Sequence, residues 1–170
     1  MIQHFLDGIL VGSILSLGAA GLTMVMHILR FANFSHAELL SIGAYVALVF
    51  DKIFKVTMPL MANEIGSLSM TWALILSIII SMVFTGASAV VFDRLIFRRI
   101  RAKGDELSMV FASFGLALIV RNLIGLIFGL STKLYSKDIV FATVLSRDPL
   151  LVVKLDQLAA FSMTLVLMVV

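Results

Sequence analysis

The sequence predicts an all-α fold, a polytopic bundle of transmembrane helices with about five spans, the last incomplete, in a single domain over residues 1–170. Three observations predict it. Of the residues, 61% are hydrophobic and 14% charged, whereas a soluble domain is nearer half apolar and a quarter charged. The apolar excess lies in long uncharged runs, and about 20 apolar residues match the hydrocarbon thickness of a bilayer. A helix at the surface of a soluble protein needs a wet face, which such runs lack. The charges collect in short patches between the runs, and the densest patch is basic.

Gly8 to Met26 carries no charge and is long enough to cross, with Asp7 at its entrance. The preceding Met1-Ile2-Gln3-His4 lacks the basic cluster of a secretory signal, so this run reads as a retained span. A polar patch follows, with His27, Arg30, Asn33, Ser35, His36 and Glu38. Leu39 to Phe50 is apolar but short, so the second span must borrow residues from the patch. One helix over residues 5–50 would be about 69 Å long, more than twice the hydrocarbon core. The chain therefore turns or breaks between His27 and His36.

Asp51 to Glu64 reads as a polar connection containing Pro59. Ile65 to Phe92 is uncharged, with Trp72 near its start as an interfacial anchor. Asp93, Arg94, Arg98, Arg99, Arg101, Lys103, Asp105 and Glu106 then form the strongest charge cluster, read as a loop. The fourth run, Leu107 to Leu130, is interrupted only by Arg121 and Asn122. Ser131 to Asp156 is mixed. In it Ile139–Leu145 and Leu150–Leu155 flank Ser146-Arg147-Asp148-Pro149 as a short hairpin would. Leu158 to Val170 stops inside its own apolar run, which predicts a fragment or a truncated gene product.

Basic loops stay on the cytoplasmic side, so Arg94, Arg98, Arg99, Arg101 and Lys103 are the topology determinants. The loops around Asp51–Glu64 and Ser131–Asp156 then face outward, as does the N-terminus. Small residues recur four apart at Gly8, Gly12, Ser16 and Ala20, at Ser77, Ser81, Thr85 and Ala89, and at Gly125 and Gly129. Such stripes let helix backbones approach where lipid offers no hydrophobic drive to associate.

The patch around the expected break holds the candidate pathway residues Asn33, Ser35, His36 and Glu38. Ser35-His36-Ala37-Glu38 has the capping-box pattern, which fits an ordinary capped turn. It also fits a broken helix facing a translocation path, since irregular backbone at membrane depth needs protein or water to satisfy it. Arg121 is the fifth candidate. An intramembrane arginine either lines a pathway or snorkels to the interface. The basic cluster serves topology alone, or binds anionic lipid or an acidic partner. His4, His27 and His36 lack metal-ligand spacing, and there is no cysteine. No nucleophile–base pair or nucleotide fingerprint is present, and Gly125-Leu126-Ile127-Phe128-Gly129 lacks the lysine of a phosphate loop. No catalytic residue, cofactor, metal or nucleic-acid partner is expected.

Four stretches carry a resemblance. They are Gly8-Ile9-Leu10-Val11-Gly12-Ser13-Ile14-Leu15-Ser16-Leu17 running into Gly21-Leu22-Thr23; Leu29-Arg30-Phe31-Ala32-Asn33-Phe34-Ser35-His36 followed by Leu39 and Gly43-Ala44-Tyr45; Leu95-Ile96-Phe97-Arg98-Arg99-Ile100-Arg101; and Phe114-Gly115-Leu116 leading to Asn122-Leu123 and Phe128-Gly129. In these the chain resembles the LivH-type permease subunits of branched-chain amino acid ABC transporters, over about the first three-fifths of a family member. Ala37 stands where the family usually has Gly, Arg99 where it has Pro, and Arg121 where members often have Gln.

The resemblance implies a subunit of an importer in the bacterial inner membrane, carrying branched-chain or other hydrophobic amino acids. It further implies a second related permease, two cytoplasmic ATPases that hydrolyse the ATP, and a periplasmic substrate-binding protein. Urea or short-chain amides are the alternative cargo of the same permease type. A secondary transporter is a rival reading, but it needs an ionisable relay that the spans scarcely offer beyond Arg121 and Glu38. A second rival, an assembly subunit without transport, needs packing faces and no pathway.

Overall fold

The computed structural model describes residues 2–63, 70–102, 106–133, 135, 143–147, 150–153 and 155–169. The chain divides into two compact units: Met1–Thr23, Glu64–Met70 and Ser136–Val170 form one, and Met24–Asn63 with Thr71–Tyr135 form the other.

Helix α1 spans Ile2–Leu29 and contributes its last turns, from Met24, to the second unit. It stops where Arg30 takes a left-handed φ of 59°, with the Arg30 amide closing onto the Met26 carbonyl at 2.8 Å. A non-glycine residue there cannot continue a right-handed helix. Helix α2 spans His36–Thr57. The expected polar connection from Asp51 is therefore corrected: α2 runs on through Asp51 to Thr57. No breaker intervenes before Pro59, and Asp51 and Lys55 pair along one face at 2.8 Å. A single 3₁₀ turn, Pro59–Ala62, follows.

Helix α3 begins at Trp72, later than the expected Ile65, with the Thr71 hydroxyl accepting from the Leu74 amide at 3.2 Å as its N-cap. It runs through Arg101 as one 30-residue helix. The basic cluster is thus not a loop up to Arg101. Asp93–Phe97 forms a π turn, and regular helix resumes over Arg98–Arg101. Arginine, leucine and isoleucine are all tolerated in helices, and cations at a helix C-terminus meet a favourable dipole. Lys103 and Asp105 lie outside the described residues.

Helix α4 spans Glu106–Phe128. Gly129 follows at φ +78°, its amide returning to the Gly125 carbonyl at 2.9 Å. The left-handed turn that ends α4 explains this glycine without any packing partner.

Phe31, Phe97, Met109, Leu116 and Val120 form the buried centre of the second unit. The stripe Ser77, Ser81, Thr85 faces α2: Ser77 and Ser81 are buried, and a Cβ on Gly43 would come within 3.0 Å of Thr85 Oγ1.

In the first unit, a Cβ placed on Gly8 or Gly12 of α1 would meet nothing within 4 Å among the described residues. β1, Thr143–Arg147, and β2, Leu150–Val153, pair antiparallel from Thr143↔Val153 to Arg147↔Leu150, with an irregularity between Val144 and Ser146. This is the expected hairpin, with Ser146 and Arg147 in the strand; Asp148 and Pro149 lie outside the described residues. Helix α5 spans Leu155–Val169.

Among the described residues, three helical stretches are long and apolar enough to cross a bilayer: His4–Leu29, Trp72–Arg101 and Glu106–Phe128. Helix α2 has the length, at 22 residues, but carries Glu38, Asp51, Lys52 and Lys55. The apolar stretch of α5 is shorter, Gln157–Leu167.

Candidate functional site: a helix break and its cleft

The break between α1 and α2 is built around Asn33. Its Oδ1 accepts from the Ser35 amide at 3.1 Å and from the Ser35 hydroxyl at 2.6 Å, and its carbonyl accepts from the His36 amide at 3.4 Å. Asn33 is buried and Ser35 is 2% exposed. The expected capping box is corrected. Ser35 stands at the N-cap in a helical conformation (φ −72°, ψ −8°) and makes no side-chain cap bond. Asparagine favours such local bonds to backbone two residues on, and the short Asn33–Ser35 bond occupies the serine hydroxyl.

From α4, Ser113 closes the knot. Its hydroxyl accepts from the Phe34 amide at 3.1 Å and lies 3.3 Å from the Ala32 carbonyl and 2.8 Å from the Val110 carbonyl, to which it donates. Ser113 is fully buried. The aromatic rings beside it fix the turn on both sides. Phe31 packs on Phe97 of α3 with centroids 5.4 Å apart, and Phe34 meets Phe114 of α4 edge-on at 6.2 Å. The amides of Arg30, Phe34, Ser35 and His36 are thus answered from within the protein, as backbone away from water requires. Sequence reading missed Ser113. Its signal was the stripe Met109, Ser113, Leu116, Val120, the buried face of α4 at helical spacing.

Beside the knot, within the second unit, lies a cleft of about 870 Å³. Asn33, Ser35 and His36 line it from the break, Leu39, Leu40 and Gly43 from α2, and Ser81, Met82, Thr85, Gly86, Val90, Asp93, Arg94 and Arg98 from α3. Of the candidate pathway residues, three therefore share one wall. Glu38 and Arg121 do not line the cleft, and Arg121 is exposed on α4. Arg94 and Arg98 reach the cleft, whereas Arg101 pairs with Asp93 at 3.4 Å on an exposed surface.

A second polar group lies near the far end of α2. Asp51 is 1% exposed, and while one carboxylate oxygen holds Lys55, the other has no partner among the described residues. Tyr135, beyond the end of α4, donates its hydroxyl to the Ala44 carbonyl at 2.5 Å. Partial burial pushes this phenol up from its usual value, and the Asp51 charge adds to the shift. Among the described residues no cluster of His, Cys, Asp or Glu is arranged to hold a metal ion.

The chain is 31% identical over 121 residues to the high-affinity branched-chain amino acid transport system permease protein BraD of Pseudomonas aeruginosa, covering 71% of this chain and 36% of that relative. By sequence the chain belongs to the LivH-type permease family. It is 27% identical over 126 residues to the high-affinity branched-chain amino acid transport system permease protein LivH of Salmonella typhimurium, covering 74% of this chain and 38% of the relative. The matched part thus spans little more than a third of the length of these relatives. No family profile and no solved structure matches this LivH-type chain.

Proposed function

We propose that this LivH-type chain is part of the membrane-spanning permease of an ABC importer for branched-chain or other hydrophobic amino acids, placed in a bacterial inner membrane. The observation that carries the reading is its similarity to two permeases whose names specify that transport. The chain itself catalyses nothing. Two cytoplasmic ATPase subunits supply the energy, a second related permease completes the pathway, and a periplasmic binding protein delivers the ligand. The break at Asn33 suits this role, because the interruption between α1 and α2 puts polar groups of Asn33, Ser35 and His36 on the wall of the cleft. Discontinuous helices of this kind line substrate routes in membrane transporters.

The test is uptake of radiolabelled leucine, isoleucine and valine in cells that do or do not produce the chain as part of its full subunit. Uptake is expected to need the chain, to stop when ATP is depleted by arsenate, and to survive a protonophore. Uptake that follows the proton gradient would instead make the protein a secondary transporter. Uptake of urea or acetamide in place of amino acids would change the cargo.

A further inference from the structure

We propose that the cleft between α2, α3 and the last turns of α1 holds an anionic phospholipid, with its phosphate at Arg94 and Arg98. The depth of the cleft comes first. Trp72 opens α3 and is exposed, the setting in which tryptophan anchors a helix at the interface. Arg94 lies about 33 Å further along the helix at 1.5 Å per residue, and the hydrocarbon core is about 30 Å thick. Trp72 at one surface therefore places Arg94 and Arg98 among the headgroups of the other.

Charge comes second. Arg94 and Arg98 both line the cleft, and neither has an ion-pair or hydrogen-bond partner among the described residues. Asp93, the nearby carboxylate, is engaged by Arg101. Two cations with no counter-charge among the described residues, near a helix end, match a phosphodiester, and guanidinium binds phosphate in a forked geometry.

Shape comes third. From Arg94 back to Thr85 the α3 wall runs about 14 Å, the depth of one leaflet, or roughly half the hydrocarbon core. Over that length Gly86 and Val90, with Met82 beyond them, face Leu40 of α2 across the cleft. Leu40, Met82 and Val90 are exposed, so the cleft opens sideways, as an acyl chain entering from the bilayer requires. Basic pockets between helices on the cytoplasmic side select anionic headgroups by these means.

The test is native mass spectrometry of the full chain in detergent micelles, titrated with dioleoylphosphatidylglycerol or dioleoylphosphatidylcholine. One phosphatidylglycerol is expected to be retained in preference to phosphatidylcholine. Arg94→Gln with Arg98→Gln is expected to reduce that preference roughly 25-fold, at about fivefold for each arginine near an anionic lipid. Arg99→Gln with Arg121→Gln removes the same charge elsewhere and is expected to leave it unchanged. Gly86→Leu is expected to reduce retention of both lipids, with circular dichroism confirming that each variant keeps its helix content. Equal preference in the Arg94/Arg98 variant and the wild type would overturn the proposal. So would displacement of the lipid by glycerol phosphate, which would reduce the site to an anion site without a chain groove. A photocrosslinker at Met82 that captures a protein in producing cells, and no phospholipid, would assign the cleft to a helix of a partner and also overturn it.

Discussion

At the scale of single residues, the break rests on two side chains that answer backbone amides. Asn33 takes both Ser35 bonds, and Ser113 takes the Phe34 amide. Leaving a buried amide without a partner costs about 1–3 kcal/mol. Ser113→Ala is expected to lower the stability of the detergent-solubilised protein by an amount in that range, read as a shift in thermal unfolding. Unchanged unfolding would mean that water replaces the hydroxyl and that the knot is wet. Asn33→Leu removes two acceptor interactions at once. In the full-length subunit it is expected to lower uptake per membrane-inserted protein, with Ser131→Leu as the control. If the two variants transport alike, the break is a capped turn with no part in the pathway. His36 shares the cleft wall with Asn33, whereas Glu38 does not, so Glu38→Gln is expected to disturb uptake less than Asn33→Leu.

At the scale of elements, α2 and α3 approach closely because Gly43 has no side chain. A Cβ there would stand 3.0 Å from Thr85 Oγ1, tighter than ordinary contact. Gly43→Ala is expected to destabilise the pair, and Thr85→Ala in the same chain to recover most of the loss. Neighbours that share a contact usually couple by about 0.5–3 kcal/mol in such a cycle. Additive effects would show that the helices separate rather than clash. Helix α3 is also the element expected to set orientation. Its continuation through Arg101 carries the arginines beyond the far surface from Trp72, and translocating close arginines is disfavoured. A cysteine at Arg101 is expected to resist an impermeant maleimide in intact cells, while one at Asn63 is labelled. The reverse pattern would invert the topology. The basic loop was expected from the density of charge, but charge density marks membrane sidedness, not the end of a helix. No glycine or proline stands between Phe92 and Arg101.

At the scale of the whole molecule, the matched part spans 36–38% of the relatives' length. Residues 1–170 produced alone with the ABC partners are therefore expected to give no ATP-dependent amino acid uptake, measured against the full subunit. Robust uptake by this chain alone would favour a self-sufficient secondary transporter.

Much of this architecture was legible in the residues themselves. Gly8–Met26, Leu107–Leu130 and the later part of Ile65–Phe92 announce membrane helices, because a bilayer sorts segments by length and polarity and needs no tertiary contact to do so. The turn before His36 followed from length alone, and the hairpin before α5 from its flanking apolar strands. Which side chains hold the turn was decided only in three dimensions. The Ser35 and Glu38 spacing promised a capping box, yet Asn33 took the serine, and Ser113 arrived from a helix far along the chain. The burial of Asp51 and the Tyr135 bond to Ala44 likewise depend on neighbours distant in sequence. Hydropathy is a local property of a segment, but the partner of a hydrogen bond depends on where packing brings other segments, and a single chain of letters does not carry that distance.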